Sequence, residues 1–457
     1  MMQGKRAWID GTELRRLVVL MLPLYAANLM NMGMGVIDTI VAGKVGAADL
    51  AGVALGCSVT VPVMVACGII LSILGPMISR LRGAGQEGKV GLLLINARKL
   101  GLWLMLVEWA GLFAGSFIFD QVTDDAEVAR VARLYVYALM TCVPASVLLR
   151  AVQGNFEGYG QTRPAMFCSF GALLLNLPVN YIFAFGWGPI PAFGGVGCGI
   201  ATSVIHYLMF AGLYALMHFT HQHGQHARQM WARRPMEAGT FRRILRLGFP
   251  LGLASLCELS FFCVVTLIVA PLGKVAVGAQ QVAINVSGVV FMLPLSLGIA
   301  ASIRAGFHLG AHNRKAFFAL VRTAFVFAVA QVVFSMAVVI WLREPIVHLY
   351  TEDAGIIALA PTLLLLCALY QLPDALQALL SGLLRGCHDT DLITWVNLGS
   401  YWLVGFPLCY LLVRTDLLVP AMGPAGAWVS FIVALAVAAV CFALRFRRTA
   451  RKLFPGC

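Results

Sequence analysis

Residues 164–227, PAMFCSFGALLLNLPVNYIFAFGWGPIPAFGGVGCGIATSVIHYLMFAGLYALMHFTHQHGQHA, contain no Asp, Glu, Lys or Arg. A helix crosses the ~30 Å hydrocarbon core of a bilayer with about 20 apolar residues. The run is too long for one such helix, and GWGPIPAFGGVG (186–197) places a Gly/Pro-rich turn in its middle. It therefore reads as two membrane helices and a short loop.

Working outward, charges punctuate the rest of the chain in the same way. Further uncharged runs cover 17–37, 50–79, 134–149, 275–303, 323–342, 354–373, 392–413 and 417–444. Two more spans are each interrupted by one acid, Glu108 in 99–119 and Glu258 in 247–273. The count is twelve. Composition agrees: 60% of the 457 residues are hydrophobic and 12% charged, about half the charge of a soluble protein. Soluble enzymes, disordered chains and disulfide-rich secreted domains are set aside. The polar start, MMQGKRAWIDGTELRR, is too long for a cleaved signal peptide.

The net charge of +13 would suit nucleic acid only if the bases shared one folded face. They lie instead in clusters between apolar runs, so the partner is a phospholipid bilayer and no nucleic acid is expected. With the N-terminus inside, 27 of the 33 lysines and arginines fall in cytoplasmic segments. Only Lys44, Arg130, Arg133, Lys274, Arg343 and Arg414 fall outside. Such a split follows the positive-inside rule and places both termini in the cytoplasm.

The chain also repeats itself. IVA recurs at 40–42 and 268–270, and Pro23, Pro144, Gly158 and Thr162 recur as Pro250, Pro373, Gly386 and Thr390. All offsets are close to half the chain. The expected fold is an all-α membrane protein of twelve transmembrane helices in two pseudo-symmetric six-helix lobes. The N-lobe spans 1–217, a cytoplasmic linker 218–243 and the C-lobe 244–457. Six spans per half is even, so the halves are parallel repeats, a layout used by alternating-access transporters.

Four acids lie within spans: Asp38, Glu108, Glu258 and Asp374. A charge at the bilayer centre costs at least ~2.5–3.5 kcal/mol, which makes each a functional candidate. Asp374 follows Pro373, whose ring frees backbone carbonyls, and Tyr370 lies one turn earlier. Glu258 lies eight residues past Pro250. These oxygens suit a hard cation, and one of two neighbouring carboxylates could instead carry a proton. Neither acid has a carboxylate at its repeat mate. Asp38 is a proton site or a lure for cationic substrate. Glu108 has no polar companion and is left unassigned. No span is expected to hold a central base, so cationic substrates should be preferred.

Other signals are discounted. GAGQEG (83–88) lacks the strand that a dinucleotide fingerprint needs. His218, His221, His223 and His226 read as a solvated loop rather than a metal site. The scattered cysteines, such as Cys67, Cys263 and Cys441, read as small hydrophobes.

Several passages together resemble the MATE (multidrug and toxic compound extrusion) family, in its NorM-like bacterial branch. They are GVIDTIVAG (35–43), EGYGQTRPAM (157–166), FGGVGCGIAT (193–202), RLGFPLGLASLCELSFF (246–262), AQQVAIN (279–285) and LPDALQALLSGLLRG (372–386). The resemblance implies a monomeric antiporter of the bacterial inner membrane. It would export cationic drugs and dyes against inward Na+ or H+, with no cofactor and no enzymatic activity. It places the Na+ site on Glu258, Asp374 and Tyr370, and an N-lobe polar site on Asp38 and Asn176. Many relatives carry an acid at Asn180, which tilts coupling toward the second half. Drug contacts are implied at Asp38, Ser58, Phe262, Gln281 and Asp353. The alternative is a flippase for a lipid-linked substrate of the same superfamily.

Overall fold

In the computed structural model, residues 10–417 and 419–454 are described. Lys5 and Arg6, counted among the cytoplasmic basic residues, lie outside them. Eleven helices are long and apolar enough to cross a membrane, and a twelfth crossing is a pair bent by 46°. In order they are α1 (Gly11–Val45), α2 (Ala47–Gly83), α3 (Glu87–Val122), α4 (Ala126–Met140 and Val143–Gly158), α5 (Arg163–Phe185), α6 (Gly195–Phe219), α7 (Ala238–Leu272), α8 (Lys274–Gly310), α9 (Arg314–Tyr350), α10 (Ala354–Gly386), α11 (Asp391–Arg414) and α12 (Pro424–Leu453). The turn expected between α5 and α6 is present, with Gly186, Gly188 and Gly194 at positive φ. Among the described residues the only extended pairing is an isolated bridge, Trp187 to Ile190.

The duplication is visible in backbone detail. Gly158 and Gly386 each end a helix, and Thr162 and Thr390 each precede the next one. Two residues after each terminal glycine the chain turns left-handed, at Gly160 (φ 73°) and at His388 (φ 59°). Gly85 (φ 67°) and His312 (φ 51°) form a second such pair. The second copy tolerates a histidine where the first uses glycine.

The helices form two compact units. One is Ala26–Gly252; the other runs from Leu253 onward and takes in the start of α1 up to Tyr25. The boundaries thus fall inside α1 and α7. Chemistry explains each assignment. At the start of α1, buried Glu13 accepts from Arg304 of α8 (Nη2 to Oε1, 2.7 Å; Nε to Oε2, 3.2 Å), with His308 at 3.3 Å. Early α7 belongs to the first unit because Gly248 lies flat on α2; a Cβ there would sit 2.2 Å from the Ile70 carbonyl oxygen.

In the second unit α8 crosses α10 at Gly298 and Gly382, where a Cβ on Gly382 would lie 2.3 Å from the Gly298 carbonyl oxygen. Its core is aromatic: Phe261 stacks on Tyr401 (centroids 5.5 Å), and Phe431 meets both Phe261 and Trp428 edge-on. Within α11, Leu398–Gly405 winds as a π-helix. In the first unit, Val41, Ala42, Val53, Tyr135, Leu139 and Cys198 pack a smaller core.

The connection between α6 and α7 departs from expectation. It carries a short helix, Gly224–Met230, and His223 is fully buried rather than solvated. Asn155 Nδ2 donates to His223 Nδ1 at 3.2 Å and His223 Nε2 donates to Gln161 Oε1 at 3.0 Å, while Tyr159 packs edge-on at 4.7 Å. Aromatic surface from the first unit covers it. Desolvation holds the His223 ring down to about 4, with His226 and Arg82 adding repulsion. His226 is also buried; His218 and His221 are not.

Candidate ion and substrate sites

Each unit holds its own polar centre, and the two differ in construction. In the first unit, Asp38 is buried where α1, α5 and α6 meet. Its Oδ1 accepts from Asn180 Nδ2 (2.8 Å) and Asn176 Nδ2 (3.2 Å), and its Oδ2 from Thr202 Oγ1 (2.8 Å). The α5 pair are i and i+4 on one helical face, which is why both amides reach one carboxylate. Three donors on two oxygens hold Asp38 as an acceptor. The amide oxygens of Asn176 and Asn180 are buried with no hydrogen-bond partner. Thr202, which closes this triad from α6, escaped the sequence reading; its only signal was membership of the FGGVGCGIAT stretch.

Asp38 lies in the wall of a cavity of about 340 Å³, which Cys57, Glu108, Tyr135, Arg150 and His206 also line. Arg150 corrects the expectation that no span holds a base. It ends the uncharged run 134–149, but the helix continues to Gly158 and Arg150 lines the cavity. This cavity is therefore not lined by acids alone.

In the second unit, Asp374 and Tyr370 are both buried on α10, one helical turn apart. Asp374 Oδ1 has no hydrogen-bond partner. Glu258, half-buried on α7, is near enough to act electrostatically on both. Beside Asp374 and Tyr370 a void of about 10 Å³ is lined by Ser287, Gln331, Ser335 and Gln371. The void is about the size of one water or one small ion. Val290, Phe291, Pro294, Val332 and Ala375 supply apolar wall, and the polar groups among the lining are hydroxyls, amides and one carboxylate, ligands of a hard cation rather than of a transition metal. The serines and glutamines were invisible in the sequence, where such residues carry no periodic signal.

The π-helical segment braces α7 around Glu258. Trp402 Nε1 donates to the Cys257 carbonyl at 3.3 Å, and Asn397 Nδ2 to the Ala254 carbonyl at 3.5 Å. Gln377 Nε2 donates to the Tyr401 hydroxyl at 3.3 Å.

The remaining substrate candidates are dispersed. Ser58 is exposed on α2 and bonds the Leu55 carbonyl. Gln281 is exposed and donates to Asn285. Phe262 stacks on Phe431 at 4.7 Å. Asp353 caps α10, accepting from the amides of Gly355 and Ile356. None of these four lines either cavity.

The sequence profile of the MatE family matches this chain twice, over residues 23–182 and 250–411. The chain is 39% identical over 445 residues to multidrug resistance protein MdtK of Edwardsiella ictaluri, covering 95% of each. It is 37% identical over 440 residues to the protein of the same name from Pectobacterium atrosepticum, again covering 95% of each. Among solved structures, the eukaryotic MATE transporter AtDTX14 superposes with a TM-score of 0.82 at 24% identity, covering 97% of this chain and 98% of that one. An outward-facing multidrug resistance MATE transporter gives 0.84 at 17% identity, covering 98% of both. At those identities the likeness is one of fold.

Proposed function

This chain belongs to the MatE family, and from that membership we propose that it is a multidrug antiporter exporting lipophilic organic cations in exchange for inward Na+ or H+. The family's members are transporters, not enzymes. The multidrug reading rests on the name borne by relatives sharing 95% of the chain. The setting is the bacterial inner membrane, with a monomer whose termini face the cytoplasm, as the distribution of basic residues supports.

The observation that carries the coupling assignment is the buried Asp374, with an unpartnered Oδ1, beside Tyr370 and within electrostatic reach of Glu258. An isolated carboxylate in such a place is costly. A Na+ seated among these oxygens, or a proton on one of them, removes the uncompensated charge. Occupancy and vacancy of the site then differ in electrostatic free energy, which is what lets an ion gradient bias a two-state equilibrium. Asp38, Asn176 and Asn180 form a second acidic centre, where Asp38 responds to an incoming charge. Drug and ion need not meet: coupling requires only that each favours a different conformation.

The test is efflux of ethidium from proteoliposomes under separately imposed Na+ and pH gradients. Export driven by either gradient, and faster for ethidium than for an anionic dye of equal size, is the expected outcome. Export under neither gradient overturns the antiport reading.

A further inference from the structure

In the second unit, α9 and α12 each end an apolar outer stripe in arginine. On α12, Val440, Leu444, Arg447 and Arg451 follow one another at intervals of four, three and four residues, so they share one helical face. All four are exposed, Val440 by 59% and Leu444 by 55%, as side chains turned toward hydrocarbon are. The opposite face, with Phe442, Phe446 and Thr449, is buried. On α9, Arg314, Arg322, Phe325 and Val329 form a similar exposed row. The bases therefore continue the lipid-facing surface of each helix.

Aromatic contacts join these two ends. Phe317 of α9 stacks on Phe446 of α12 with centroids 6.3 Å apart. Phe454, just past the end of α12, packs against Phe317 at 5.4 Å and Phe318 at 5.7 Å. Arg314 lies over the Phe318 ring, 6.0 Å from its centroid, and Arg451 is three residues before Phe454. Bases from both helices thus border one aromatic contact. Acids do not balance them: α12 contains none, and the one acid of α9, Glu344, lies near its far end. Asp389 is spent on Arg445, accepting from Nη2 at 2.7 Å and Nε at 2.8 Å, and on Thr449.

We propose that the joined ends of α9 and α12 bind the phosphate headgroup of an anionic phospholipid, whose acyl chains lie along the apolar stripes. Charge and register both select this occupant. A guanidinium matches phosphate oxygens two at a time. Each base at a membrane surface strengthens attraction to anionic lipid about fivefold. Farther into each span, Leu444, Val440 and Phe325 meet the chains. A soluble phosphate or a nucleic acid would use the bases and leave those apolar residues unengaged. A zwitterionic lipid would bring its own ammonium against the guanidinium groups. The inference goes beyond the antiport reading and needs only that these ends lie at a membrane surface.

The experiment is equilibrium binding of a fluorescent phosphatidylglycerol to the purified full-length protein in neutral detergent. Unlabelled phosphatidylglycerol, phosphatidylcholine and inorganic phosphate serve as competitors. Wild type is expected to prefer phosphatidylglycerol over phosphatidylcholine by at least about fivefold, the contribution of one base, and inorganic phosphate should not displace the lipid. The double variant Arg447→Gln, Arg451→Gln should bring the two lipids close to parity. Arg322→Gln should reduce the preference in the same direction from α9, and it serves if the double variant does not fold. Arg447→Lys with Arg451→Lys keeps the charge and should keep the preference. Arg233→Gln with Arg234→Gln removes two exposed bases from the connection between α6 and α7 and should change nothing. An equal loss there would reduce the effect to general positive charge and overturn the site. Displacement by inorganic phosphate overturns it too, as does an unchanged preference in the α9 and α12 glutamine variants. Lipid selectivity without ethidium export would retire the antiport reading and keep the site; export without selectivity would do the opposite.

Discussion

At the scale of single residues, the two polar centres respond differently to losing charge. Glu258→Gln and Asp374→Asn keep volume and remove the charge that a monovalent cation balances. Folding should survive, because a neutral amide is cheaper in lipid than a carboxylate. Gradient-driven drug efflux in vesicles, at matched protein levels, should collapse in the double variant, and near-normal efflux would move coupling to Asp38. Tyr370→Phe should do less, since it deletes one neutral ligand among several. At Asp38 the surrounding amides predict a contrast. Asn176 and Asn180 each hold an idle amide oxygen, so in Asp38→Asn they can turn to accept from the new amide. Asp38→Leu instead strands three donors, at about 1–3 kcal/mol for each one left unsatisfied. Thermal unfolding in detergent should therefore separate the two variants clearly, with the asparagine protein close to wild type.

At the scale of elements, packing and titration make separate predictions. Gly382→Ala would place a methyl 2.3 Å from a backbone oxygen of Gly298, which cannot rotate away. Overpacking of this kind costs roughly 1–3 kcal/mol, and a lower midpoint in thermal unfolding measures it. His223 immediately precedes a short connecting helix whose docking depends on a neutral ring. Its folded value, about 4, lies below the ordinary histidine value, 6.5. The unfolded or undocked ring therefore takes up protons first. Docking is at full strength above pH 6.5 and weakens as the pH falls from there toward 4. Hydrogen exchange over residues 222–230 should accelerate in that window, and His223→Phe should flatten the dependence.

The same elements show what a sequence can and cannot disclose. Spans, turns and the internal repeat were legible because lipid admits few charges, so charges mark the boundaries of helices. That rule fails where a charge is wanted inside. Arg150 looks like a terminus in the sequence because it is basic, although its helix runs on to Gly158. Burial of His223 was equally hidden, since it depends on Phe156 and Tyr159, far away in the chain. Asp374 and Glu258 stand out in the sequence because acids are rare in apolar runs. The amides and hydroxyls that complete their surroundings do not, because Ser and Gln occur in membrane helices for many reasons.

At the scale of the whole molecule, the distribution of basic residues makes a topological prediction. A reporter fused after Gly239 should be active only in its cytoplasmic form, and periplasmic activity there would overturn the assigned orientation. The two compact units carry a further consequence, because their boundaries lie inside helices α1 and α7. The stretch of α1 up to Tyr25 leaves the ribosome first, yet it belongs with a unit whose other residues begin at Leu253. Glu13 therefore waits for Arg304 and His308 through most of synthesis. Biogenesis cannot finish one half before starting the other. If the gene were split between α6 and α7, each product would leave the ribosome missing the segment that its partner carries. The two pieces should then be stable against proteolysis only when produced together.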